Sequence, residues 1–315
     1  MPSRRERLLG GLYGLLVGDA LGVPYEFHSP DDLPPASELE LDPPAGFRRA
    51  HAGVPPGTWS DDGAQALVLL ESLLRCGRLD LDDLGRGLLA WYERGFMAVD
   101  DVVFDVGIQT SQALRALRAG VAAREAGPAH EHANGNGALM RVLPLALWHQ
   151  GADEELVTDA HEQCLVTHGH LRSQVCCALY CLWARATLEE APDPWGSAVA
   201  RLRAIYGAGS AALAELEQAV RPDDPPDGRG SGYVVDTLRS ARLALQAGGY
   251  ETVVKAAIAL GHDTDTTACV AGGIAGLRDG VAAIPARWRD RLRGQELVAP
   301  LSAALLRRHG LDSAS

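Results

Sequence analysis

The sequence predicts an all-α protein, and three observations carry that prediction. Apolar residues recur at three- and four-residue spacing through most of the chain, which is the period of an amphipathic helix. Runs that alternate β-branched with polar residues, as strands require, are scarce. Neither an internal repeat nor a shift in composition divides the chain, so we expect one domain over residues 1–315.

The composition is that of a globular protein, and its charge argues against one class of partner. The chain has 315 residues, of which 47% are hydrophobic and 22% charged, which is enough for a sizeable core. Its formal net charge of −12 argues against nucleic acid as a partner, because phosphate backbones bind basic surfaces. A small anion in a locally positive or metal-charged pocket stays compatible with that charge.

Cysteine usage and the first apolar segment predict a cytoplasmic protein with no membrane partner. None of the six cysteines belongs to a Cys-x-x-Cys pair, and three lie in one apolar helical run, which is typical of buried, reduced thiols. The segment from Leu8 to Val23 contains five glycines and Asp19. It therefore resembles neither the core of a secretory signal nor a membrane span.

The first predicted helix carries glycine at every fourth position, at Gly10, Gly14, Gly18 and Gly22. These positions drift only slowly around one face of a helix. Each glycine costs the helix about 1 kcal/mol relative to alanine. The compensation must come from the close approach of another backbone, so we expect this helix at the centre of the bundle.

The remaining predicted helices follow in order, separated by polar or proline-rich loops. A helix begins at Gly63 and is expected to stop at Gly77, and Ser197 is the expected N-cap of a helix that runs to Val220. The other predicted helices span 84–92, 106–118, 138–149, 154–167, 171–189, 234–247, 250–260, 266–277 and 288–308. The longer loops are predicted at 29–56, 126–137 and 221–230.

Two short acidic segments, far apart in sequence, carry the predicted chemistry. They are Thr58-Trp59-Ser60-Asp61-Asp62 and Gly261-His262-Asp263-Thr264-Asp265-Thr266-Thr267. Each offers two carboxylates and a hydroxyl just before a helix, and such oxygen donors suit hard cations such as Mg²⁺ and Mn²⁺. Four converging carboxylates without a cation would repel one another and have raised pKa values. The segments therefore predict two halves of one site for a pair of metals, which could generate a nucleophilic water.

A simpler interpretation of each acidic segment stays open. Ser-Asp-Asp and Asp-Thr-Asp-Thr, placed before helices, are both good N-caps, because their side-chain oxygens accept hydrogen bonds from the first-turn N–H groups. Taken singly, either segment is compatible with a cap or a solvated turn. Only their pairing favours a metal site.

Six motifs in this order resemble the ADP-ribosylglycohydrolase family, which includes the dinitrogenase reductase-activating glycohydrolase and the ADP-ribosyl-arginine hydrolases. They run through most of the chain as Gly18-Asp19-Ala20-Leu21-Gly22 with Glu26-Phe27, Trp59-Ser60-Asp61-Asp62, Asp105-Val106-Gly107, Gly135-Asn136-Gly137-Ala138-Leu139-Met140-Arg141, Thr167-His168 and Gly261-His262-Asp263-Thr264-Asp265-Thr266. Each motif alone is a weak signal, whereas their order and spacing are specific. The resemblance implies an orthogonal multi-helix all-α bundle, a binuclear Mg²⁺ or Mn²⁺ centre, and release of ADP-ribose by water attack at ribose C1″.

The resemblance also implies residue roles at the metal centre. The expected metal ligands are Ser60, Asp61, Asp62, Asp263, Asp265 and Thr266. Ser60 stands where the family often has threonine, so the hydroxyl ligand is kept. The expected catalytic residues are Glu26, Asp62 and Asp263, with Glu26 acting as a gate or as a general acid/base.

The expected substrate contacts are Asp105, Asn136, Gly137, Ala138 and His168. The loop through Asn136, Gly137 and Ala138 enters an apolar helix, where backbone N–H groups can face a diphosphate. Asp105 is expected to recognise the distal ribose or a guanidinium leaving group, and a helix N-cap role for it is equally open. His168 is assigned to the ADP-ribose pocket rather than to a metal.

Two further histidines, His170 and His262, lie close in sequence to predicted site residues. His170 is interpreted as a residue at a helix start. His262 marks a departure from the family, which commonly has Gly-Gly-Asp where this chain has Gly261-His262-Asp263. An imidazole at that position is expected to crowd the site or to bind the substrate, which puts the identity of the substrate in doubt.

The favoured function is a metal-dependent hydrolase that removes ADP-ribose from a modified protein or a small adduct. ADP-ribosyl-arginine is the best guess, because Asp105 matches an arginine-type relative. The alternative is a non-catalytic, ADP-ribose-binding or crystallin-like member of the same fold, which the intact carboxylates argue against. His262-Asp263 also spells the doublet of the HD phosphohydrolases, but the further histidine ligands of that class are missing. The sequence leaves open the acceptor linkage (arginine, serine, nucleic-acid base or small molecule), the choice of Mg²⁺ or Mn²⁺, and the oligomeric state.

Overall fold

Helices build the described part of the chain, which is residues 1–311 of a computed structural model. That part contains no strand, so the predicted all-α fold is confirmed. The α-helices are α1 Arg4–Gly22, α2 Asp61–Cys76, α3 Leu81–Arg94, α4 Ile108–Arg118, α5 Leu143–Trp148, α6 Asp153–Leu165, α7 Leu171–Leu188, α8 Pro194–Tyr206, α9 Ala211–Glu215, α10 Val234–Ala244, α11 Tyr250–Ile258, α12 Thr264–Asp279, α13 Ala286–Arg289 and α14 Gln295–Arg308.

The glycines of α1 pack directly on the backbone of α12. A Cβ atom added at Gly14 would lie 2.4 Å from the carbonyl oxygen of Gly272, and one added at Gly18 would lie 2.2 Å from that of Ala268. No side chain fits at such distances, so only glycine allows the two helices to come this close. The prediction of a glycine-lined central helix is confirmed, and this contact fixes how far α1 can slide along α12.

Helix α1 with the turn that follows it, Arg4–Tyr25, is long and apolar enough to cross a membrane by length and composition alone. Its most apolar window is 89% buried inside the protein. The helix therefore already has protein on its apolar surface, as a core helix does.

Two predicted helices are each broken in the structure by glycines in the left-handed region. The helix expected from Ser197 to Val220 divides into α8 and α9, because Gly207 has a φ of +68° and Gly209 a φ of +81°. The cap of α8 is Asp193 rather than Ser197. The helix expected over 288–308 divides in the same way into α13 and α14, at Gly294 with a φ of +69°.

The helix predicted over 138–149 is shorter than expected and begins only at Leu143. Turns precede it, and Pro144 lies in the first turn of the helix, where the N–H that proline lacks would have no partner within the helix. Elsewhere the predicted boundaries hold within a few residues. Gly77, with a φ of +68°, ends α2 as expected.

Candidate functional site

The two acidic segments meet in the structure, as the sequence predicts. They lie at the N-termini of α2 and α12. The Thr266 hydroxyl donates a hydrogen bond to Oδ2 of Asp62 over 3.2 Å, across 204 positions of sequence. The Asn136 side-chain amide donates to Oδ2 of Asp263 over 2.8 Å, which brings the glycine-containing loop to the same place.

Asp19, on the central helix α1, holds the first acidic segment in position. Its buried carboxylate accepts hydrogen bonds from the backbone N–H of Ser60 at 2.9 Å and of Gly63 at 2.7 Å. Asp19 belongs to the first of the six family motifs, but the sequence alone predicts no role for it. An aspartate inside an otherwise apolar, glycine-rich helix was the available signal, because a buried carboxylate needs nearby donors.

The cap interpretation is right for one segment and wrong for the other. Ser60 is the N-cap of α2, and its Oγ accepts a hydrogen bond from the N–H of Asp62 at 3.3 Å. Asp263 occupies the N-cap position of α12, yet its side chain makes no cap hydrogen bond and is held by Asn136 instead. The Asp263 carboxylate is therefore directed to the site and not to its own helix.

Two buried carboxylate oxygens at this meeting point have no hydrogen-bond partner among the described residues. They are Oδ1 of Asp62 and Oδ2 of Asp265. Burial, and after it the neighbouring negative charges, raises the pKa values of Asp61, Asp62 and Asp265 well above the ordinary aspartate value. Orphaned oxygens in a crowd of carboxylates fit hard divalent cations, which would satisfy these oxygens and offset the repulsion.

A series of buried, hydrogen-bonded side chains supports Asp61. The Gln65 side-chain amide donates to Oδ2 of Asp61 over 2.9 Å, and Arg141 donates to Oε1 of Gln65 over 3.1 Å. Arg141 is fully buried and also donates to the side chain and the backbone carbonyl of Gln163. Burial lowers the pKa of Arg141 to about 10, so the guanidinium stays charged at neutral pH. Arg141 is therefore a structural residue.

A cavity of about 270 Å³ opens beside the carboxylates. Eight residues predicted to belong to the site line it: Glu26, Asp61, Asp105, Asn136, Gly137, His168, Asp263 and Thr266. The side chains of Ser60, Asp62 and Asp265 are buried directly behind that lining. Ala138 is buried and does not line the cavity, which differs from its expected position in the substrate pocket.

The glycine-containing loop is paired with the segment before α10. The N–H of Asn136 donates to the carbonyl of Gly232 over 3.2 Å, and Gly135 forms a bridge with Tyr233. The N–H of Asn136 is therefore not available to a ligand. Of the expected phosphate-binding N–H groups, those of Gly137 and Ala138 make no hydrogen bond within the described residues.

His168 supports the glycine-containing loop from the buried side of the cavity. A Cβ atom added at Gly137 would lie 2.8 Å from the His168 ring, so glycine is required for this contact. Nδ1 of His168 lies 2.8 Å from the Thr167 hydroxyl. Burial, and after it the charge of Arg141, lowers the pKa of His168 to about 3, so its imidazole is neutral. His170 is the N-cap of α7, as expected.

The structure decides two questions that the sequence left open, which are whether Asp105 caps a helix and whether His262 reaches the site. The N-cap of α4 is Gly107, without a side-chain cap bond, so the cap interpretation of Asp105 is wrong. Burial, and after it the charge of Asp263, raises the pKa of Asp105 to about 6. The side chain of His262 is exposed, makes no hydrogen bond and does not line the cavity. The expectation that His262 crowds the site is therefore wrong.

Several residues at the site were not foreseen from the sequence. Gln109, Thr110 and Gly232 line the cavity without belonging to any acidic or glycine motif, and Met140, which was quoted within a motif, lines it without having been assigned a role. His51, from the long loop before α2, lies with its Nε2 atom 2.6 Å from Oε2 of Glu26. A lone histidine in a proline-rich loop gave no signal in the sequence, because only the fold brings it to Glu26.

Comparison with known proteins agrees with this architecture. Residues 1–314 match the family model described as ADP-ribosylglycohydrolase. The chain is 30% identical to an ADP-ribosylarginine hydrolase, Tri1, of Serratia proteamaculans, over 95% of this chain and 79% of that protein. It is 30% identical to the ADP-ribosyl-[dinitrogen reductase] glycohydrolase of Rhodospirillum rubrum, over 99% of each chain.

A solved structure described as an ADP-ribosylglycohydrolase-related protein complex has the same fold. It superposes with a TM-score of 0.79 at 31% identity, and the match covers 98% of this chain and 99% of that one. The expected fold type is thereby confirmed. The protein is an ADP-ribosyl hydrolase, an enzyme that acts on glycosyl bonds, and the chain belongs to the ADP-ribosylglycohydrolase family.

Proposed function

We propose that this protein hydrolyses the bond between ribose C1″ and the guanidino nitrogen of ADP-ribosylated arginine, and that it requires two divalent cations, Mg²⁺ or Mn²⁺. The observation that carries the proposal is the meeting of the two acidic segments, with unpartnered oxygens on Asp62 and Asp265 beside a cavity. The similarity to an ADP-ribosylarginine hydrolase and to the glycohydrolase that acts on dinitrogen reductase supports the choice of arginine.

The cations would be held by six residues: Ser60, Asp61, Asp62, Asp263, Asp265 and Thr266. All six offer oxygen atoms, and together they supply four carboxylates, which is the donor chemistry that Mg²⁺ and Mn²⁺ accept. When bound, such cations would supply Lewis acidity for water activation and orientation for a ribose diol. Ser60 and Asp62 also share a hydrogen bond of 3.2 Å, which fixes their side chains relative to each other.

Glu26 and Asp105 are the residues that would handle protons and the leaving group. Both line the cavity. In the proposed step the water oxygen forms a bond to C1″ while the bond from C1″ to the guanidino nitrogen breaks. Glu26 accepts one water proton and then donates it to the departing guanidine nitrogen, so one water is consumed, Glu26 is regenerated, and ADP-ribose and arginine are produced. Asp105 holds the guanidinium through charge-assisted hydrogen bonds.

The remainder of ADP-ribose would occupy the cavity wall formed by the glycine-containing loop. The unpaired N–H group of Gly137, which lines the cavity, is the donor for the diphosphate, while the Asn136 side chain orients Asp263. His168 stays neutral behind this loop, so it fills space without adding charge. The partners in this proposal are an ADP-ribosylated protein or small adduct and the product ADP-ribose, and the location is cytoplasmic.

A release assay tests the proposal. Purified protein is incubated with defined adducts of ADP-ribose on arginine, serine, a nucleic-acid base and an O-acyl group, with Mg²⁺, with Mn²⁺ and with chelator. We expect ADP-ribose release from the arginine adduct that stops with chelator. Asp61→Asn and Asp265→Asn are expected to lose at least about a hundredfold in kcat, because each removes a charged ligand.

The matched control is Asp31→Asn, the same change at an exposed aspartate outside the cavity, which should retain wild-type activity. Folded Asp61→Asn and Asp265→Asn variants with full activity would contradict the proposal. Calorimetric binding of ADP-ribose without turnover of any adduct would instead favour a non-catalytic member of the fold.

A further inference from the structure

The corner of the cavity around Glu26 contains a histidine to which neither the family motifs nor the comparisons assign a role. Nε2 of His51 lies 2.6 Å from Oε2 of Glu26 and 3.9 Å from Oδ1 of Asp105. The three side chains come from three separate loops, and their ligand atoms all lie within 4.8 Å of one another. The His51 and Glu26 side chains are largely buried, with 15% and 5% exposed.

The His51 ring is packed between two aromatic residues that are chain neighbours of the two carboxylates. Its centroid lies 5.5 Å from that of Phe27, which follows Glu26, and 5.1 Å from that of Phe104, which precedes Asp105. Such contacts fix the plane of an imidazole as well as its position. His51 is therefore in contact with both segments that carry the carboxylates.

Three residues at this corner have unfavourable backbone conformations. Phe27 has a φ of +64°, His51 of +46° and Asp105 of +57°, all in the left-handed region that side-chain-bearing residues seldom adopt. Such conformations are unfavourable for residues that carry a Cβ atom and persist where the surroundings impose them, often at functional sites. Three of them at one corner indicate that the placement of these side chains is itself under constraint.

Backbone hydrogen bonds hold the loop that carries His51 next to the segment that carries Glu26. The N–H of Ala50 donates to the carbonyl of Pro24 over 2.9 Å, and the N–H of Val54 donates to the carbonyl of His51 over 2.8 Å. His51 is thus placed beside Glu26 by a closed turn.

We propose that His51 is a positioning residue: its hydrogen bond to Glu26, held in place by the Phe27 and Phe104 rings, sets the carboxyl of Glu26 for proton transfer at ribose C1″. This inference rests on the proposed function, since the step that it serves is the hydrolysis described above. His51 itself touches neither the substrate nor the reacting atoms. A misplacement of a reacting group by about 1 Å can cost on the order of a hundredfold in rate, so one hydrogen bond at this corner can control kcat.

Two substitutions separate the hydrogen bond from the bulk of the ring. His51→Gln puts an amide N–H where Nε2 stands, whereas the shorter side chain of His51→Asn does not reach Glu26. We expect His51→Asn to lower kcat by about 10–100-fold with KM within about threefold, and His51→Gln to keep kcat within about threefold of wild type. Cation binding, measured by calorimetry, should be unchanged in both variants.

The matched control is His262→Asn. His262 also has a left-handed backbone, with a φ of +61°, but its exposed side chain makes no hydrogen bond. Asparagine tolerates the left-handed region at both positions, so relief of backbone strain is comparable in the two variants. His262→Asn should keep wild-type kcat.

A double-mutant cycle tests whether His51 acts through Glu26. In a Glu26→Gln background, His51→Asn should cost no further activity, because the group that it positions has already been replaced. Equal losses in His51→Asn and His51→Gln, wild-type kcat in His51→Asn, or a full additional loss in the Glu26→Gln background would each overturn the inference.

Crystal structures of the variants keep this test separate from that of the proposed function. The Glu26 carboxyl should shift in His51→Asn and stay in place in His51→Gln, whatever the substrate is. A wild-type enzyme that releases ADP-ribose from none of the adducts would overturn the proposed function. An unmoved Glu26 in His51→Asn would overturn only the role given to His51.

Discussion

Replacing Gly22 with alanine tests how the contact between α1 and α12 controls the site. Gly22 ends α1 and lies against the backbone of the second acidic segment. A Cβ atom there would stand 2.4 Å from the Cα of Asp265 and 2.5 Å from the carbonyl oxygen of Thr264, whereas ordinary contacts are 3.4–4 Å. The two backbones must therefore separate by about 1 Å to admit the methyl group.

The expected cost follows from that displacement. Overpacking of this kind costs about 1–3 kcal/mol, and the better helix propensity of alanine offsets up to about 1 kcal/mol of it. In a chain of 315 residues about 1 kcal/mol corresponds to about 1.5 °C, so Gly22→Ala should lower Tm by up to about 5 °C. Because the shift falls on Asp265 itself, the loss of kcat should be larger than the loss of stability suggests, at about a hundredfold.

Differential scanning calorimetry with chelator present measures the stability, and ADP-ribose release with saturating Mn²⁺ measures kcat. The control is Gly53→Ala, because a Cβ atom at Gly53 meets nothing within 4 Å and its backbone is not left-handed. This control should match wild type in both assays. If Gly22→Ala kept wild-type kcat, the idea that the helix contact sets the position of Asp265 would be refuted.

Two further predictions concern protons and backbone strain. In the folded state the pKa values of Asp62 and Asp265 lie above the ordinary value of 3.8. Above about pH 4 the metal-free native state therefore binds more protons than the unfolded chain does. Its free energy of unfolding accordingly falls as pH rises through the folded-state pKa values. Millimolar Mn²⁺, which binds the deprotonated carboxylates, should therefore raise Tm more at about pH 8 than at about pH 5; an equal rise at both would count against this linkage. His262→Gly should stabilise the fold by about 1 kcal/mol in thermal unfolding, because it relieves a φ of +61°, and should leave kcat unchanged; a loss of activity would indicate that the imidazole binds substrate after all.

The central helix and the acidic segments could be predicted from the sequence because both are governed by local rules. Glycines at four-residue spacing have one good explanation in a helix, which is close contact with another backbone. Paired aspartates before a helix already suggest oxygen ligands. The pairing of these segments across the bundle was suggested by their matching oxygen donors and became specific through the family resemblance, since no local rule brings together residues 204 positions apart.

The elements that were misjudged depended on conformations that residue identity alone does not reveal. Gly207 and Gly209 could sit in a long helix at modest cost, but the structure uses both in the left-handed region to end α8. His51 was overlooked because its partner, Glu26, lies in another loop. The side chain of His262 was expected near the cavity, and only the turn geometry shows that it faces solvent.

The glycine contact between α1 and α12 has a consequence for anyone who wishes to re-target this enzyme. Under the proposed function, cation binding and acceptor choice would be governed by separate parts of the molecule. Helix termini hold the aspartates, whereas the loop ahead of α4 contributes Asp105, and the first residue of α4 contributes the exposed Ile108, to the cavity lining. Randomised libraries confined to residues 99–108 would sample new leaving groups without disturbing the backbone spacing that assembles the catalytic core. Libraries spread over the helices would mostly yield proteins that no longer bring the aspartates together.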